Sequence, residues 1–158
     1  MALSSLQSWL GRDELDIFAT VTLRKCRWYT SNDSYFHLKS LDSDEVRKVG
    51  WLLRDRVSKA AHGSRAFKNK MLPPFLTFYE LSGDNRPHFH ILTSKPTSMS
   101  DEEYRDLFNS TASRLEWVYD QIDVRAIRSG DVERVISYSL KTGSEAFITE
   151  ASFIPQYA

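Results

Sequence analysis

The chain has 158 residues, 41% hydrophobic and 27% charged, which suits one globular domain with a core of its own. No apolar run approaches the roughly 20 residues that span a bilayer, and 21 basic residues offset by 21 acidic ones argue against a protein that coats nucleic acid through bulk charge. The single cysteine, Cys26, permits neither an internal disulfide nor a thiolate cluster for zinc, so any metal must rest on His, Asp or Glu. The opening MALSSLQSWLGRDEL lacks the basic start and unbroken apolar run of a secretory signal. An intracellular, non-secreted protein is expected.

Residues 17–23, IFATVTL, alternate and are rich in β-branched side chains, predicting a first strand. From 43 to about 61, Val46, Val49, Gly50, Leu53 and Val57 recur at helical spacing, with Ser43 as the cap and Glu45 in the first turn. The run 47–70 has eight Lys or Arg against one acid, Asp55; it reads as a solvated helix face or as a phosphate-binding patch beside an active site. PPFLTFYEL (73–81), the turn SGDN and PHFHILT (87–93) predict a β-hairpin. Ser100 followed by Glu103 is a capping-box pattern opening a helix to about 117. QIDVRAI (121–127) alternates as a strand, after which Asp131 caps a helix running to Lys141, with Gly143 to stop it.

The order β-α-β-β-α-β, then one more helix, is the ferredoxin-like split arrangement, an α+β fold with an antiparallel sheet and two helices on one face. Strand parity points Ile17, Ala19, Val21, Leu23, Phe89, Ile91, Ile122, Val124 and Ala126 at those helices. The open face then carries Thr20, Thr22, Leu76, Phe78, Glu80, His88 and His90. His88 and His90 share it about 6.5 to 7 Å apart along their strand, and the tight turn brings Glu80 alongside. Two imidazoles and a carboxylate make a three-ligand set that leaves coordination positions open, which suits chemistry better than a structural staple. His37 and His62 lack such geometry and read as surface residues. A cupin-type site is disfavoured, because Thr93 and Ser94 stand where that pattern needs a glutamate.

In DVERVISYSLKTGS (131–144), Val132, Val135, Ile136 and Ser139 form a stripe suited to covering the open face, and Tyr138 and Lys141 are helical neighbours. A phenol, with an ordinary pKa of about 10, attacks phosphorus only where a cation favours its phenolate. Of the seven tyrosines only Tyr138 has a lysine three positions on.

With these residues the chain resembles the HUH endonucleases, and among them the rolling-circle replication initiators, or Rep proteins, of plasmids, phages and circular single-stranded DNA viruses. IFATVTL looks like the first of their three motifs, HFH at 88–90 like the second and YSLK at 138–141 like the third. The resemblance spans nearly the whole chain and implies one nuclease domain over 1–158. It implies a divalent metal, Mg²⁺ or Mn²⁺, on Glu80, His88 and His90, with Tyr138 as nucleophile forming a 5′-phosphotyrosine and Lys141 steadying the phenolate or phosphate. Its substrate would be single-stranded or hairpin DNA at a replication origin, with Arg24, Lys25, Arg65, Lys68 and Lys70 as candidate DNA contacts. Trp28, Tyr29 and Phe78 are candidates for base stacking, though core or rim packing is the commoner role for each. Lys141 favours a Rep over a single-tyrosine transposase, which commonly has glutamine there, and over a relaxase. No G-x-x-x-x-G-K-[ST] occurs, so unwinding falls to a separate helicase, or this chain is the nuclease part of a longer protein, and synthesis falls to a host polymerase, in a prokaryotic cytoplasm or, for a virus, the host nucleus. The rival reading is a non-catalytic RRM-like binder of single strands, which needs exposed aromatics on the open face.

Overall fold

A computed structural model describes residues 15–84, 86–141 and 146–155. The opening segment, Asn85 of the predicted turn and the proposed stop at Gly143 lie outside them. The chain forms β1 (Ile17–Leu23), β2 (Cys26–Thr30), β3 (Phe36–Ser40), α1 (Ser43–Lys68), β4 (Phe75–Leu81), β5 (Pro87–Thr93), α2 (Asp101–Ala112), β6 (Val118–Ala126), a short 3-10 turn (Ser129–Asp131) and α3 (Val132–Ser139). Four strands make an antiparallel sheet in the order β4-β5-β1-β6. The fold is α+β, and the strand order is that of the ferredoxin-like arrangement. Among the described residues no helix is long and apolar enough to cross a membrane.

The sheet divides the apolar residues by parity. One face joins Ile17, Ala19, Val21, Phe89 and Ile91 to Val49, Leu53 and Val57 of α1 and to Tyr104 and Phe108 of α2. The other joins Leu76, Phe78 and Leu92 to Val132 and Ile136 of α3. The last helix therefore covers the second face, as its stripe predicts, and its eight residues are held by that burial rather than by intrinsic propensity. Ala126, expected on the α1/α2 face, ends an edge strand and is exposed.

The helix ends differ in detail from expectation. Asp42, not Ser43, caps α1, its carboxylate accepting from the Glu45 N–H at 2.8 Å. The regular helix breaks at Gly63 (φ 84°, ψ 160°), a conformation glycine adopts without the strain of a side chain. Both halves of the capping box at Ser100 and Glu103 are made, while that helix stops at Ala112 rather than near 117. Asp131 precedes α3 without a side-chain cap bond, and Leu140 is its C-cap, so Lys141 stands just past the helix.

Two features were not expected. The chain between β1 and α1 forms a separate hairpin, β2 with β3. In addition, residues 146–153 run along the outer edge of β4: Phe75 and Phe153 exchange both backbone hydrogen bonds, and Phe147 bridges to Phe78. That segment satisfies an edge that would otherwise present unpaired backbone groups.

Candidate metal centre

The cluster is a product of register. Glu80 of β4 lies opposite His88 of β5, and on the other side of β5 His88 and His90 face Thr22 and Thr20 of β1. Because side chains alternate, all five point to the face that α3 covers. The ligand atoms of Glu80, His88 and His90 all lie within 4.8 Å of one another. Glu80 and His90 are only 5% and 4% exposed, and His88 is half-buried.

Three nitrogens converge on one carboxylate. Glu80 Oε2 is 2.7 Å from His90 Nε2 and 3.2 Å from His88 Nε2, and Oε1 accepts from the Lys141 ammonium at 2.6 Å. Burial opposes ionisation of Glu80, yet the hydrogen bonds from Lys141 and His90 outweigh it and hold the carboxyl below its ordinary range. Burial depresses His90, against the pull of Glu80. The bond to Glu80, reinforced by Tyr138, raises Lys141.

The far side of each imidazole decides what its near side can do. His88 Nδ1 is 3.1 Å from the Arg86 carbonyl, which only accepts, so Nδ1 carries the proton. In the neutral ring Nε2 then turns a lone pair toward Glu80 Oε2, and two lone pairs 3.2 Å apart need a proton or a metal cation between them. His90 Nδ1 is 3.3 Å from the Thr20 hydroxyl, which can donate or accept. Thr20 thus serves either His90 tautomer, including the one that frees Nε2 for a metal. The three residues fit a divalent cation by the chemistry of their donors.

Aromatic packing fixes His90 and brings in the helix. Phe18 stacks on its ring at 5.4 Å and Tyr138 meets it edge-on at 5.6 Å. The Lys141 ammonium sits 4.2 Å from the centre of the Tyr138 ring, between the phenol and Glu80. Tyr138 remains 52% exposed. All five residues predicted for metal binding and chemistry, Glu80, His88, His90, Tyr138 and Lys141, therefore come together.

The predicted DNA contacts divide. Arg24 and Lys25 line a groove with Thr22, Arg86, Pro87 and Tyr119 at the His88 end of the sheet. Arg65, Lys68 and Lys70 do not join them. They lie at the end of α1, where the chain returns to begin β4 at Phe75, and Glu80 is about 16 Å further along that strand at the ordinary rise per residue. The basic run is thus not beside the cluster, because α1 packs on the opposite face of the sheet. Phe78 is fully buried, whereas Trp28 and Tyr29, expected in packing roles, stand 66% and 40% exposed on the hairpin. His62 is half-buried rather than superficial.

Thr20, Phe18 and the Arg86 carbonyl are the neighbours that sequence reasoning left without a role. Parity put Thr20 on the right face, but only the β1–β5 register sets it opposite His90. Compared with protein-family models, with curated proteins and with solved structures, the chain finds no match.

Proposed function

We propose that the chain is a metal-dependent single-strand DNA nicking and joining enzyme, similar to HUH endonucleases of the Rep class. One observation carries the reading: a Glu-His-His cluster with its tyrosine and lysine gathered on the same sheet face, Lys141 joining Glu80 to Tyr138. A divalent cation on Glu80, His88 and His90, Mg²⁺ or Mn²⁺, supplies Lewis-acid polarisation of the scissile phosphate.

Tyr138 is the nucleophile, its half-exposed phenol giving up its proton to solvent while the Lys141 ammonium favours the phenolate. The new phosphorus–oxygen bond leaves a 5′-phosphotyrosine and releases a 3′-hydroxyl. The phosphotyrosine keeps the energy of the broken diester, so a 3′-hydroxyl can reverse the step and join strands. Arg24, Lys25 and Arg86 flank the His88 end of the cluster and suit the phosphates of an approaching strand. On this reading the chain initiates rolling-circle replication of a plasmid, phage or virus at an origin hairpin, with helicase and polymerase supplied separately. The non-catalytic binder finds less support: Leu76, Phe78 and Leu92 of the second sheet face are buried under α3 and offer no platform for bases.

The test is covalent trapping. Purified protein mixed with Mn²⁺ and a degenerate pool of labelled single-stranded and hairpin DNA should yield a denaturant-resistant adduct that maps to Tyr138 and does not form when EDTA is present from the start. Tyr138→Phe should abolish the adduct and spare DNA binding. An adduct on another tyrosine would refute the nucleophile while leaving the reaction class, and an adduct that forms in EDTA would refute the metal.

A further inference from the structure

On the face of the sheet away from the metal cluster, a cavity of about 270 Å³ opens between α1 and the segment that joins α2 to β6. One wall is a single stripe of α1, Glu45, Lys48, Val49, Leu52 and Arg56, whose spacing keeps them on one helix face. Arg114 and Trp117 form the opposite wall, and Arg27 of β2 closes the end.

The charges around this cavity do not cancel. Its four cations meet two carboxylates, and both are engaged. Glu45 takes the Lys39 ammonium and the Trp117 indole N–H at 2.9 Å, and Glu116 takes Arg27. Lys48, Arg56 and Arg114 have no hydrogen-bonded or ion-paired partner among the described residues. Arg27 is held over the Trp117 ring, 5.1 Å from its centre, and its Nε–H is buried without an acceptor. A buried donor without a partner is costly, and a concave group of cations around it calls for an acceptor of negative charge.

We propose that this cavity is a binding site for a terminal phosphate or diphosphate. Several cations match the double charge of a phosphate monoester better than the single charge of a carboxylate, and guanidinium forks match its oxygens. The volume lies just under the roughly 300 Å³ at which pockets for drug-sized ligands begin. That suits a diphosphate or the end of a nucleotide and excludes a large cofactor. Trp117 is 4% exposed, so it supports Arg27 and offers no face to a base; recognition is of the phosphate. The source is a free nucleotide or the 5′-phosphate end of a DNA strand, which share that chemistry.

Calorimetric titration of the whole chain with pyrophosphate decides it, without divalent metal and at about 0.15 M ionic strength. Saturable one-to-one binding is expected, weakened at least about tenfold by Arg56→Ala combined with Arg114→Ala. Lys59→Ala, which removes an exposed charge from the same helix outside the cavity, should change nothing. In the folded wild type, pyrophosphate should move the NMR resonance of the Trp117 indole N–H and leave that of Trp28. Absence of saturable binding, equal weakening by Lys59→Ala, or a Trp117 resonance that stays still at saturation would each overturn the site. A nucleoside diphosphate that competes identifies the free source; a 5′-phosphorylated strand that competes better than its 5′-hydroxyl twin identifies the DNA end. His90→Ala should bind pyrophosphate normally, so this result stands apart from the nuclease reading.

Discussion

His90 is gripped from three directions: Phe18 stacks on its face, Tyr138 meets it edge-on, and Thr20 addresses Nδ1. The aromatic contacts limit where the ring lies, while Thr20 at Nδ1 and Glu80 at Nε2 bear on which nitrogen holds the proton. Groups that orient a ligating imidazole this way typically alter metal affinity by about 10- to 100-fold. Thr20→Val keeps the shape and the β-branch and removes the hydroxyl, so Mn²⁺ affinity measured by calorimetry should fall about tenfold. Far-UV circular dichroism should be unchanged. Unaltered affinity would mean that Glu80 alone sets the tautomer. Tyr138 and Lys141 show the other limit of a residue-scale reading. Their spacing placed them together, but Lys141 reaches Glu80 from just beyond the helix end, at Leu140, a contact that no helical wheel contains.

Strands and helices were legible where burial imposed a period. β1 lies where alternation put it, and Glu80 meets the histidines because the short turn between β4 and β5 sets the register of their hairpin. The β2–β3 hairpin escaped notice for a physical reason: Trp28, Phe36 and Leu38 are exposed, so its apolar residues do not mark a core face. Residues 146–153 were illegible because they pair with β4 mainly through isolated bridges and backbone bonds, and their buried residues, Ala146, Ile148 and Ala151, follow no regular period. Their fit depends on Gly50. A Cβ there would stand 2.6 Å from the Ala151 Cβ, and neither atom belongs to a flexible side chain. Gly→Ala inside a helix ordinarily gains about 1 kcal/mol, whereas forcing atoms into a filled site costs about 1 to 3 kcal/mol. The clash should win. Gly50→Ala is expected to lower stability in urea and to speed proteolysis within 146–155; a stabilised variant would show that the segment does not approach so closely.

At the scale of the whole molecule the sheet separates two kinds of site, the Glu80-His88-His90 cluster beneath α3 and the basic cavity beside α1, with the main core between them. Glu45 ties the second side together. It stands in the first turn of α1, pairs with Lys39 of β3 and accepts from the indole of Trp117 just before β6. The hydrogen bond to Lys39 is the largest influence on its carboxyl and, with the indole, holds it below 4.5 although burial opposes ionisation. A carboxyl depressed by folding contributes stability that is present above its unfolded value and lost as pH falls through its folded one. Glu45→Gln keeps one acceptor, which can serve the indole, and removes the charge together with the second oxygen that accepts from Lys39. Near neutral pH the variant should be less stable by up to about 1.5 kcal/mol, the lower end for a hydrogen bond to a charged group because Lys39 is partly exposed. That gap should close as pH drops from 4.5 through the lower folded value. Glu80 is also depressed, so both proteins will weaken in acid, and the difference between their urea-denaturation curves from pH 7 to about pH 3 isolates Glu45. A gap that persists unchanged into acid would mean that Glu45 acts through packing and not through charge.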